Sequence, residues 1–161
     1  MNIFLEAHRI VLQQLLEKKV DFILIGGYAV NYYGYNRTTA DMDVWINPDN
    51  NNKLLLLDAL ASLDFDAEGL ATIRSWNFEK PQKFHVFQKP FQTEFMTHIS
   101  GIKYPDAKKI AVKTEIDGLT LAMIHINSLI QNKKSTGRTK DLADVEYLEK
   151  IMALKNKKDD G

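Results

Sequence analysis

Three groups of residues in this chain have types and spacings suited to chemistry. Gly26-Gly27 follow the apolar run Ile23-Leu24-Ile25 and lead into a short helical pattern. A helix N-terminus offers free N–H groups and partial positive charge, and glycine lets a phosphate approach without a Cβ in the way. A bare Gly-Gly is more often a plain strand-to-helix turn. Asp41 and Asp43 are two apart in a strand-like run, so both carboxylates point to one face. Two such acids can converge on one Mg²⁺, or Mn²⁺, which takes oxygen ligands and shares substrate phosphates. Otherwise they are a solvated strand edge. Glu94 lies in a second strand-like run, Thr93-Glu94-Phe95-Met96, and is the candidate for a third metal-binding acid. Its plainer alternative is an exposed residue paired with a lysine.

Basic residues could complete such a site. Arg37, four residues before Asp41, could meet a phosphate or neutralise the acid pair. Lys133, Lys134, Arg138 and Lys140 cluster before a final helical pattern that carries Asp141 and Asp144. They could form a basic wall, or pair within the helix as Lys140 with Asp144. His85, His98 and His125 show no metal-binding spacing and read as ordinary strand or helix residues. Tyr28, Tyr32, Tyr33 and Tyr35 read as packing for the short helix.

The elements that position these groups follow from periodicity. Ile3, Phe4, Ala7, Ile10, Val11, Leu15 and Leu16 predict a first amphipathic helix over 2–18. Phe22–Ile25 predicts a buried strand. A short helix over Tyr28–Tyr33 follows, with Gly34 as its C-terminal cap. Asp41–Ile46 predicts a strand whose other face, Met42, Val44 and Ile46, is apolar. A helix capped by Asp49 or Asn50 runs to Leu63. A short helix over 67–76, a loop over 77–83, and strands at Phe84–Phe87 and Thr93–Met96, joined through Lys89-Pro90, come next. Lys108–Glu115 predicts a strand, Asp117-Gly118 a turn, and Ala122–Lys134 a helix. The last helix carries Leu142, Val145, Leu148, Ile151 and Met152, and residues 156–161 read as a frayed charged tail.

The totals exclude several classes. At 161 residues the chain suits one domain, here 1–155. Lys+Arg and Asp+Glu both number 21, which argues against a broad nucleic-acid surface. There is no cysteine, so disulfides and thiolate-bound zinc are excluded. No apolar run reaches membrane-span length, and the N-terminus lacks a signal peptide's basic region, so a cytoplasmic protein is expected. Strands and helices interleave, which predicts an α/β or α+β fold.

Together, Leu24-Ile25-Gly26-Gly27 and Asp41-Met42-Asp43, with Gly34, Arg37 and Thr39 between, resemble the nucleotidyltransferase superfamily related to DNA polymerase beta. The stretch Thr93–Gly101 is similar to that superfamily's third-acid context, with Glu94 where Asp is commoner. The segments Leu129–Lys133 and Gly137–Asp144 give a narrower resemblance to small bacterial proteins grouped with AbiEii-type abortive-infection toxins. The resemblance implies a minimal fold, a mixed sheet flanked by helices with a helical C-terminus. It implies Mg²⁺-dependent attack of an acceptor hydroxyl on the α-phosphate of an NTP, ATP included. The acceptor would be a small molecule, a tRNA end or a protein side chain. Asp41, Asp43 and Glu94 would hold metal, with Glu94 as third ligand or base. Gly26 and Gly27 would hold phosphates, with Arg37, Thr39 and Lys133 nearby. Arg138, Asp141 and Asp144 carry over from the toxin-like motifs. A toxin-like component would have a cognate antitoxin or regulator as partner. The alternative is an inactive nucleotide- or partner-binding module of the same fold.

Overall fold

The computed structural model describes residues 4–35, 41–88 and 92–159. Its centre is a six-stranded mixed sheet in the order β3-β4-β2-β1-β6-β5. The strands are β1 (Phe22–Ile25), β2 (Met42–Ile46), β3 (Lys83–Val86), β4 (Thr93–Met96), β5 (Val112–Ile116) and β6 (Leu119–Met123). The helices are α1 (Glu6–Glu17), α2 (Gly26–Tyr32), α3 (Asn50–Ser62), α4 (Ala67–Arg74), α5 (Tyr104–Ile110), α6 (Ile126–Thr136) and α7 (Thr139–Asp159).

β1 is buried along its whole length because it lies between β2 and β6 with both faces covered. β2 runs antiparallel to β1 and parallel to β4, while β3 closes the edge antiparallel to β4. Met42, Val44, Trp45 and Ile46 are fully buried, so β2 exposes side chains to a cleft only at its acidic end. Trp45 lies beyond the acids, where its indole N–H donates to the Thr97 carbonyl (3.0 Å) and its ring meets Tyr104 edge-on. Asp49 caps α3 by accepting from the Asn51 and Asn52 amides, and Asp66 caps α4 through Gly69 N–H.

Several element boundaries shift by a few residues from the sequence expectations, and three of the differences have a clear physical reason. Residues 108–110 belong to α5, and the strand expected from Lys108 starts at Val112. Pro105 at the start of α5 and Asp106 in its first turn are helix-initiating signals. Their helix buries only Tyr104 and Ala107, too few to show a period. Ala122 and Met123 belong to β6, where Met123 is the register partner of Leu24. α6 starts only after His125, whose Nδ1 accepts from Asn127 N–H (3.0 Å). At the C-terminus α7 continues through 156–159, with Lys157 and Lys158 in its last turn, where cations complement the helix dipole. Among the described residues no helix is long and apolar enough to cross a membrane.

Candidate active site

One row of register partners crosses four strands: Ile25 on β1, Asp43 on β2, Glu94 on β4 and His85 on β3. Partners in a row point to the same face of a sheet, and Asp41, two residues before Asp43, points the same way. The pairing of two short strands thus brings together acids that lie fifty residues apart in sequence. A cleft of about 680 Å³ opens on this face, with Gly26, Gly27, Asp41, Asp43 and Glu94 among the residues at its acidic end. Lys133, Thr136, Arg138, Lys140 and Asp141, from the end of α6 and the start of α7, line the same cleft.

Gly26 is the first residue of α2 and has φ +69°, in the left-handed region that favours glycine. A Cβ there would run into the Asp43 carboxylate. The glycine is required twice, by its backbone and by the close approach of the acid. Tyr33 anchors the far end of α2 by donating its hydroxyl to the Ile124 carbonyl (2.6 Å). Tyr28 packs edge-on against Phe4 and His8, and Tyr35 against Tyr147, so these tyrosines build the helix's seat.

The electrostatics of the acidic end are unbalanced. Burial pushes the Asp43 carboxyl up to about 6, and the neighbouring negative charges of Glu94 and Asp41 push in the same direction. Lys83 and Lys133 offset this only in part. Glu94 is held from the sheet edge: Lys83 Nζ lies 3.1 Å from one carboxylate oxygen and His85 Nε2 2.6 Å from the other. The lysine pairing foreseen as the plainer role of Glu94 is therefore present, and its lysine is Lys83.

The basic wall is wired differently from the sequence reading. Lys133 is buried, with Nζ 3.2 Å from Asp141 and 2.9 Å from Asp144. Asp144 thus meets a lysine of the preceding helix. Asp141 also accepts from the Thr136 hydroxyl (2.7 Å) and from Arg138 Nε (2.8 Å). Although burial opposes it, these partners hold the Asp141 carboxyl below the usual range. Arg138 is exposed, lines the cleft and meets Asp141 through Nε. Arg37 and Thr39 lie outside the described residues.

A family model described as Nucleotidyl transferase of unknown function (DUF2204) matches residues 4–159. The chain belongs to this family. No curated protein matches the sequence significantly. Two solved structures share the nucleotidyltransferase fold. The lincosamide antibiotic adenylyltransferase LnuA, solved with lincomycin bound, has a TM-score of 0.55 at 11% identity, over 94% of this chain and 99% of that one. A Thermotoga maritima protein assigned as a nucleotidyltransferase, TM1012, has a TM-score of 0.51 at 13% identity, over 93% and 91%. These findings uphold the superfamily resemblance; neither speaks for the narrower likeness to AbiEii-type toxins.

For this nucleotidyl transferase family member, the fit of a divalent metal turns on the three acids. Among the described residues no three His, Asp or Glu groups are gathered closely enough to cage an ion. The donor set nonetheless suits Mg²⁺ in kind, being all oxygen, and the charges of Asp41 and Glu94 both bear on Asp43. The Glu94 carboxylate is engaged by Lys83 and His85. The sequence reading took His85 and His98 as ordinary strand or helix residues and did not single out Lys83. Lys83 and His85 reach Glu94 through the pairing of β3 with β4, and His98 lines the cleft from the loop after β4. Period-2 alternation in Lys83–Val86 could have placed Lys83 and His85 on one face.

Proposed function

We propose that this protein transfers a nucleoside monophosphate from an NTP to an acceptor hydroxyl in the cleft, with Mg²⁺ or Mn²⁺ as cofactor. The observation that carries this reading is the row Asp43–Glu94, with Asp41 beside it and Gly26 against it, in a cleft that Arg138 and Lys140 also line. Asp41 and Asp43 would hold the metal, with Glu94 as third ligand or base. When bound, the ion would neutralise the triphosphate and polarise the α-phosphate. Gly26 and Gly27 give the β- and γ-phosphates a surface without side chains. The acceptor oxygen bonds to the α-phosphorus as the bond to the α,β-bridging oxygen breaks. Pyrophosphate leaves, and the hydroxyl proton passes to Glu94, whose position is set by His85 and Lys83.

The basic residues divide in role. Lys133 has its charge matched by two buried carboxylates, so we assign it to positioning the α6–α7 corner. Arg138, fixed through Nε by Asp141, is the phosphate-facing cation, with Lys140 beside it. Arg37 and Thr39 keep phosphate-side roles by resemblance. A second reading, a nucleotide- or partner-binding module without turnover, is favoured by one observation: Glu94 is engaged by Lys83 and His85. A toxin-like role with a cognate antitoxin remains an extension of the resemblance alone.

The test incubates the protein with each radiolabelled NTP and Mg²⁺ or Mn²⁺ and measures pyrophosphate release and label transfer. Release abolished by Asp41→Asn with Asp43→Asn supports the transferase. Metal-dependent NTP binding without release supports the binding module. Unchanged binding and release in the double variant overturn the metal assignment.

A further inference from the structure

Two lysine charges bear on Asp43, those of Lys83 and Lys133. They differ in whether they can leave. Lys133 lies between Asp141 and Asp144 with 7% of its side chain exposed. Moving it would strand two buried carboxylates. Lys83 has 63% of its side chain exposed, and its Nζ lies 3.1 Å from Oε1 of Glu94. An ion pair with so exposed a lysine contributes little to stability, so this ammonium can exchange one anion for another at small cost.

The pairing of β3 with β4 explains how Lys83 reaches that oxygen. Lys83 is the register partner of Met96, two residues along β4 from Glu94. Residues two apart share a face, so Lys83 stands diagonal to Glu94, within reach of a long side chain. Both residues line the cleft. His85 is the direct register partner of Glu94 and meets its other oxygen, Oε2, at 2.6 Å. The two oxygens of Glu94 therefore have separate holders.

We infer that Lys83 competes with the divalent ion for Oε1 of Glu94, and so sets how readily the acidic end of the cleft takes an ion. The inference rests on the reading of Asp41, Asp43 and Glu94 as metal-binding acids, and adds to it a residue that opposes them. An ammonium and a divalent ion are drawn to the same lone pairs and repel each other at contact distance. Entry of the ion drives Lys83 Nζ off Oε1, while His85 keeps its hold on Oε2. The released ammonium stays tethered to β3 beside the cleft, where a triphosphate is the next anion it can meet. An ion that arrives with a triphosphate brings that new partner; a bare ion does not. Lys83 thus favours the metal–nucleotide complex over the free ion.

Calorimetry of the full chain with Mn²⁺ alone tests the competition. Lys83→Met should bind the ion roughly five- to tenfold more tightly than the unaltered protein, the scale of one unit charge removed from beside a divalent ion. Lys83→Arg, which keeps the charge, should show no such gain. In a Glu94→Gln background the gain from Lys83→Met should fall below about twofold, because the contested carboxylate is gone. Reductive methylation followed by peptide mass spectrometry reads the displacement itself. Lys83 should label severalfold faster once Mn²⁺ saturates the protein, with Lys133 unchanged. An unchanged or weaker affinity in Lys83→Met overturns the competition and leaves the transfer reading standing. So does a gain that persists in full with Glu94→Gln, and so does a Lys83 labelling rate indifferent to Mn²⁺. If neither the unaltered protein nor Lys83→Met binds Mn²⁺, with ATP or without it, the competition and the transfer reading fall together.

Discussion

The carboxylate of Asp43 occupies the place where a side chain at position 26 would begin. Gly26 and Asp43 are therefore one structural unit: the glycine opens α2 at positive φ, and the acid fills the room left by its missing Cβ. Gly26→Ala is expected to cost about 1–2 kcal/mol from the left-handed backbone alone, with a further loss from displacing Asp43. Chemical denaturation will measure the stability. Nucleotide affinity should fall with it. A variant that is destabilised yet binds nucleotide normally would show that the glycine serves the fold alone.

The raised Asp43 carboxyl makes stability depend on pH in a definite direction. The folded state binds its proton more tightly than the unfolded chain does, with a folded value of about 6 against an ordinary 3.8. Folding therefore gains from Asp43 below about pH 4, and that gain is lost as pH rises through 6. Asp43→Asn should be more stable than the unaltered protein at pH 7.5, by on the order of 1–3 kcal/mol. The difference should vanish near pH 3.5, as urea unfolding at a series of pH values will show. Because a metal competes with that same proton, added Mg²⁺ should raise the melting temperature more at pH 7.5 than at pH 5. Equal Mg²⁺ effects at both pH values would remove Asp43 from the metal's ligands.

Lys133 and Arg138 should fail in opposite ways. Removing the lysine cation in Lys133→Met leaves Asp141 and Asp144 buried without their shared partner, which for buried pairs costs about 3–5 kcal/mol. Arg138 is exposed, so Arg138→Ala should shift stability by less than about 1 kcal/mol while weakening nucleotide binding. Thermal melts and nucleotide titrations on both variants separate these roles. A stable Lys133→Met with lost nucleotide affinity would return Lys133 to direct phosphate contact.

How much of this was legible in the sequence depends on the distance over which each signal acts. β1, β2 and the acid pair were readable because each is complete within a few residues: an apolar run, a glycine pair, an alternating strand ended by Pro48. Glu94 was readable as an acid within an apolar strand. Its partners Lys83 and His85 were not joined to it, since only the antiparallel register of β3 with β4 brings His85 opposite Glu94. Met123 misled because it continues the helical spacing of Ile126, Leu129 and Ile130 although it ends β6. The burial of Lys133 was hidden for a similar reason. A lysine-rich segment reads as solvated, and only the turn between α6 and α7 places two aspartates on one of its members. The family and the fold could be read from local motifs. The division of labour among the charges required the contacts between elements.

The grip on Glu94 comes from the outermost strand. β3 has four residues, and within the sheet only β4 holds it. Peripheral segments of this kind detach at a small fraction of the free energy needed to unfold the whole molecule. A brief fraying of β3 would carry Lys83 and His85 away and leave β2, β1 and the glycine turn intact. The third acid is thus under the control of the sheet's margin, while the first two are set in its centre. Amide exchange along β3 would then report how often the site is complete.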